Sequence, residues 1–121
     1  MEKKFSQEIS DTFVSNVAFN SSGLVPAIVQ QYDTKEVLMM AWMNEESIHT
    51  TFKEGYACYW SRSRKNLWRK GETSGNVQKL KDIRIDCDGD TLLLLVDQKG
   101  DACHLNYRSC FFRGADTEII D

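Results

Sequence analysis

"VQKLKDIRIDCDGDTLLLLVD", residues 77–97, alternates between apolar and polar side chains in its first half and runs apolar in its second. That change of pattern predicts two strands meeting near Gly89. Between them lies "DCDGD", residues 86–90, with carboxylates at alternate positions and a cysteine between the first two. On an extended strand Asp86, Asp88 and Asp90 share one face, while Cys87 points to the other.

The strand pattern continues upstream. "PAIVQQY" (26–32) and "EVLMMAWM" (36–43) are β-prone runs separated by Asp33, Thr34 and Lys35, which predicts a hairpin. Asn44, followed by Glu45 and Glu46, is a helix start with a capping side chain and acids near the positive end of the dipole. This helix should run to about Lys53 and stop at Gly55, with "YACYW" (56–60) as a further strand. Phe5, Ile9, Phe13 and Val17 recur every four residues, which predicts a short first helix broken by "NSSG" (20–23). "ACHLNYRSCFFR" (102–113) reads as two short strands around a polar turn. No repeat, low-complexity stretch or linker interrupts the chain.

The expected fold is therefore α+β: a compact, β-rich single domain over residues 1–121, of mainly antiparallel strands with one or two short helices. At 121 residues and 41% hydrophobic content, such a domain leaves much of its surface wet and would gain from a partner chain. The net charge of −3 argues against a general nucleic-acid or anionic-membrane binder. No apolar run approaches bilayer length and the N-terminus has no signal-peptide pattern, so a cytoplasmic location is expected. In a reducing compartment, the four cysteines are metal ligands or apolar fillers more often than disulfides.

Three stretches carry chemistry. Three hard oxygen ligands on one face suit Mg²⁺ or a similar ion, whereas a thiolate on the reverse suits zinc; the competing reading of "DCDGD" is a solvated acidic turn. Cys103 and Cys110, with Cys87 as a third thiolate, would make a Cys₃ site whose fourth position is open, the mark of a catalytic rather than a structural zinc. Cys58 lies in an alternating strand and is read as core. His104, beside Cys103, is a candidate for proton transfer or an ordinary surface histidine; His49 is read as surface.

"WSRSRKNLWRKGETSG", residues 60–75, combines Arg62, Arg64, Lys65, Arg69 and Lys70 with small hydroxyl and glycine residues suited to close approach by a phosphate. Its tryptophans, Trp68 among them, are suited to stacking on a base or walling a pocket. The competing readings of this stretch are a solvated charged loop and an RNA-binding platform, and that of the cysteines is a structural Cys₄ zinc closed by Cys58; the tryptophans favour a ligand. A cytidine-deaminase type of site lacks its H-x-E and P-C-x-x-C signature here.

Taken together, "WSRSRKNLWRKGETSG", "DCDGD" and "CHLNYRSCF", with "VLMMAWMNEES", resemble phosphoribosyl-AMP cyclohydrolase of histidine biosynthesis over residues 24–113. The resemblance implies Mg²⁺ on Asp86, Asp88 and Asp90. It also implies an intertwined homodimer sharing zinc, with Cys87 from one chain and Cys103 and Cys110 from the other. The implied reaction opens the purine ring of phosphoribosyl-AMP at N1–C6, with zinc-bound hydroxide attacking C6 and His104 as helper base. Arg62, Arg64, Lys65, Trp68, Lys70, Thr73 and Ser74 then hold a substrate that carries two phosphates. Leu105, Asn106, Tyr107 and Asn76 depart from residues frequent in that family and spare every implied ligand.

Overall fold

The computed structural model describes residues 5–120. Its elements are α1 (Gln7–Ser15), β1 (Val25–Gln31), β2 (Val37–Met43), α2 (Glu45–Glu54), β3 (Cys58–Ser61), β4 (Asn66–Arg69), β5 (Gln78–Ile85) and β6 (Leu92–Gln98). Four strands form a sheet in the order β2-β1-β6-β5, and β3 pairs with β4 in a second sheet. The class is α+β, as expected. No helix among the described residues is long and apolar enough to cross a membrane.

The expected hairpins form. β1 and β2 pair antiparallel, as do β5 and β6, with Ile85 opposite Leu92 across the acidic turn. The hairpins are joined by a parallel pairing of β1 with β6, Ala27 opposite Leu92 through Gln31 opposite Val96. Nothing local announces that contact, because its partners are far apart in the chain. β6 is the central strand: Leu92, Leu94, Leu95 and Val96 are all buried, which explains its continuous apolar run where the half-buried β5 alternates.

At α2, Asn44 accepts a hydrogen bond from the Ser47 amide and the Ser47 hydroxyl accepts one from the Asn44 amide, closing a capping box. The helix stops at Gly55. α1 packs on α2, where Phe52 meets the rings of Phe5 and Phe13 edge-on at centroid distances of 5.1 and 5.4 Å. α1 ends at Ser15, earlier than the "NSSG" break. His49 is not simply a surface residue: its Nδ1 lies 2.5 Å from the Ser10 hydroxyl, tying the two helices together.

Two elements differ from expectation. β4 falls within the basic stretch, and its hairpin with β3 opposes Tyr59 to Trp68 and Trp60 to Leu67. The segment 102–113 forms no strands apart from an isolated bridge between Arg113 and Ile119. It is instead a tight loop closed by amides of Ala102 and Cys103 donating to carbonyls of Arg108 and Tyr107. The Cys110 amide anchors it to the Leu38 carbonyl at 2.7 Å, so its backbone groups are satisfied without a ladder.

Phe52 is 4% exposed and central to the helix–helix contact. Phe52→Ala should destabilise the fold by about 3–5 kcal/mol, read as a lower urea midpoint.

Candidate active site

The "DCDGD" carboxylates converge, but not for the reason the sequence suggested. They occupy the turn between β5 and β6 rather than an extended strand. The Asp86 side chain accepts from the amides of Asp90 (3.0 Å) and Thr91 (3.3 Å), folding the segment back on itself. Gly89 makes the turn possible: its φ is +78°, and a β-carbon there would lie 2.8 Å from the Asn16 carbonyl oxygen. One carboxylate oxygen from each of Asp86, Asp88 and Asp90 lies within 4.8 Å of the others, all three exposed.

This crowding is electrostatically costly without a cation. Sharing hydrogen bonds with Asp88 and Asp86 pushes the Asp90 carboxyl above its usual range. Partial desolvation raises Asp86, but bonds from Asp90, Asp88 and the two amides outweigh it and hold that carboxyl low. Three hard oxygens on a hydrogen-bonded turn fit Mg²⁺ or a similar ion.

A second constellation forms where the chain leaves the other end of β6. A cavity of about 380 Å³ is lined by Arg64, Trp68 and Lys70 from the β3–β4 hairpin, Thr73 and Ser74 from the following turn, and Cys103 and His104 from the loop. Seven residues singled out from separate parts of the sequence thus share one hollow. Asn76 and Asn106, which depart from the family's frequent residues, also line it, as does Asp101; an ordinary polar loop residue, Asp101 carries no signal of its own in the sequence. Arg69 is at the wall, but its guanidinium is held by Glu54 through bonds of 3.0 and 2.8 Å.

Other expected members lie elsewhere. Arg62 sits over the Trp42 ring, 4.8 Å from its centroid, and neither Arg62 nor Lys65 is among the lining residues. Lys70 has a different contact from the one its charge suggests. Its ammonium donates to the Ala102 carbonyl at 2.6 Å and lies close enough to Cys110 and Cys103 to interact with both. Burial lowers the Lys70 pKa, and the two sulfurs oppose that change.

Cys103 and Cys110 are hydrogen-bonding neighbours; burial, then the adjacent Cys103, raises the Cys110 thiol, while Lys70 opposes the rise. The Leu105 amide lies 3.4 Å from Cys103 Sγ. Two adjacent thiols with an amide donor and an ammonium nearby are a donor set suited to thiolates on zinc. Cys58 is fully buried in the core, with its thiol pushed up to about 11 mainly by burial, and belongs to no group of three candidate ligands among the described residues.

Cys87 belongs to the acidic turn, and β6, seven residues long, separates that turn from the cysteine loop. At ~3.3 Å per residue the strand spans about 20 Å. Among the described residues, Cys87 forms no three-ligand group with the other two thiols within one chain.

The family model for phosphoribosyl-AMP cyclohydrolase matches residues 39–112. The phosphoribosyl-AMP cyclohydrolase of Chlorobaculum tepidum is 60% identical over 119 residues, covering 95% of this chain and 87% of that protein. That of Paramagnetospirillum magneticum is 61% identical over 109 residues, covering 90% and 83%. That of Chlorobium chlorochromatii is 61% identical over 110 residues, covering 91% and 80%. The matched span holds the acidic turn, the basic hairpin and the cysteine loop alike, and the chain belongs to the phosphoribosyl-AMP cyclohydrolase family of hydrolases.

Proposed function

We propose that this protein opens the purine ring of 1-(5-phosphoribosyl)-AMP at the N1–C6 bond, in the cytoplasmic biosynthesis of histidine, as a homodimer whose sites are each built from two chains. The observation that carries the reading is the cavity that unites Arg64, Thr73 and Ser74 with Cys103 and His104. One wall offers a cation and hydroxyls to a phosphate; the other offers thiols and an imidazole to a reacting centre.

Arg64 presents its fork to phosphate oxygens, Thr73 and Ser74 add hydrogen bonds, and Trp68 walls the purine side. His104 accepts one proton from the water that attacks C6 and returns it to N1 as the N1–C6 bond breaks, while the other water proton passes from the C6 hydroxyl to the exocyclic nitrogen as the carboxamide forms. Lys70 offsets the negative charge of the paired thiolates. Zinc held by Cys103 and Cys110 of one chain and Cys87 of a second copy would act as a Lewis acid, bringing the pKa of a water to about 7. Mg²⁺ on Asp86, Asp88 and Asp90 would neutralise a carboxylate-rich wall facing phosphate or ribose oxygens. Arg62 and Lys65, on the turn outside the cavity lining, remain as cations for the more distant phosphate.

The position of the thiols supports the two-chain site: Cys87 lies in the turn before β6 and the Cys103–Cys110 pair in the loop after it, and within one chain the three form no ligand group. A face that a second copy would cover is also present. Ile28 and Met40, directly paired across β1 and β2, are 39% and 45% exposed on the outer side of the sheet.

Protein stripped of metal should not hydrolyse phosphoribosyl-AMP, and zinc should restore ring opening, followed by absorbance; no turnover in any metal state would defeat the reading. Cys87→Ser and Cys110→Ser chains should each be inactive alone. Unfolded and refolded together, they should recover roughly a quarter of wild-type activity, because half the dimers then contain one intact site of two. A site contained within one chain recovers none. Arg64→Ala should raise KM about tenfold or more with a smaller change in kcat, as expected for a contact to a non-reacting phosphate.

A further inference from the structure

Gln98, the last residue of β6, joins the backbone of the segments that carry the two walls of the cavity, and it is 4% exposed. Its side-chain Nε2 donates to the Asn76 carbonyl at 3.1 Å and the Lys99 carbonyl at 2.8 Å. Asn76 ends the phosphate-side wall, and Lys99 begins the segment leading to Asp101, Cys103 and His104. Its main chain is pinned as well: the Gln98 amide donates to Gln31 Oε1 at 2.8 Å, and its carbonyl accepts from Arg108 Nη1 at 2.9 Å. The walls touch closely at this point, since a β-carbon on Gly100 would lie 2.5 Å from Asn76 Oδ1.

The orientation of the Gln98 amide is set from the core. The fully buried Tyr59 hydroxyl donates to Gln78 Oε1 at 2.5 Å, which turns the Gln78 amide nitrogen toward Gln98 Oε1 at 2.7 Å. With its oxygen so engaged, Gln98 directs both N–H groups at the two wall carbonyls. Only a side chain with an acceptor on one arm and two donors on the other satisfies this arrangement. A carboxylate would oppose the carbonyls, and an apolar isostere would leave them short of donors.

We propose that Gln98 is a positioning residue whose side-chain amide sets the spacing between the phosphate-binding wall and the cysteine–histidine wall. It would thereby control binding and turnover of a nucleotide that spans both; the inference rests on the cavity being the substrate site. The hydrogen bonds of the Gln98 side chain run to the wall backbone and to Gln78, not to either wall's functional side chains. Gln98 acts through the backbone that carries them, and small displacements between a phosphate anchor and a reacting centre are expensive for catalysis.

The test compares zinc-loaded wild type with Gln98→Met, Gln98→Glu and Leu94→Val, the last removing only core packing from the same strand. Calorimetric titration with AMP, which carries the 5′-phosphate and purine without being turned over, gives a readout independent of activity. Gln98→Met should retain its zinc and fold cooperatively, yet bind AMP about tenfold more weakly and lose a similar factor or more in kcat/KM for phosphoribosyl-AMP. Gln98→Glu should be weaker still, while Leu94→Val, though less heat-stable, should bind AMP within about twofold of wild type. AMP affinity unchanged in Gln98→Met, or an equal loss in Leu94→Val at matched thermal stability, would overturn the assignment. A wild type that binds AMP but opens no ring would count against the ring-opening reading alone, and the AMP comparison would still decide the role of Gln98.

Discussion

The parallel pairing of β1 with β6 is the constraint on which the other features depend. It converts two local hairpins into one sheet and buries β6 between them. It also fixes β6 as a rigid spacer with the carboxylate turn at one end and the cysteine loop at the other. β6 is mostly buried and hydrogen-bonded along both edges, so its neighbours hold its length. The division of candidate ligands into two groups is therefore a property of the sheet rather than of flexible loops.

Polar chemistry inside this sheet is concentrated at the cysteine end. Gln31, Gln78 and Gln98 are all buried, and their amides are joined to one another or to the chain leaving β6. Among the described residues, no buried side-chain nitrogen or oxygen lacks a partner. A satisfied network of this kind specifies one arrangement strongly, because any shift strands a donor or acceptor in a medium where it cannot be solvated. The acidic end is the opposite: its carboxylates are exposed and mutually repulsive, a geometry that bonds to backbone amides hold in place.

Much of this was legible in the sequence, where local chemistry dictated structure. The Asn44 cap, Gly55, the two hairpins and the turn at Gly89 all follow from short-range capping and patterning; the reciprocal bond to the Ser47 hydroxyl does not. The convergence of Asp86, Asp88 and Asp90 was foreseen, but strand alternation was the wrong cause; a turn closed by Asp86 brings them together. What stayed hidden depends on distant contacts. β4 has only four residues and is set in a basic stretch, so it does not declare itself. The 102–113 loop has β-like composition, yet its backbone is satisfied by its own turn and by Leu38. Lys70 reads as a phosphate ligand until the fold delivers Ala102 and two sulfurs to its ammonium, and Gln98 is one amide among many until Asn76 and Lys99 arrive on either side.

The same long-range pairing has a consequence for how the chain reaches its fold. Gln31 meets Gln98 67 residues later, so as the polypeptide emerges during synthesis, the residues of β1, β2 and α2 are released well before those of β6. Until then one edge of β1 stands open, with Val25, Ala27 and Val29 uncovered, a template for pairing with a neighbouring nascent chain. High contact order of this kind slows folding. For this protein the hazardous interval is translational, closing only when the last strand slots between the first and the fifth.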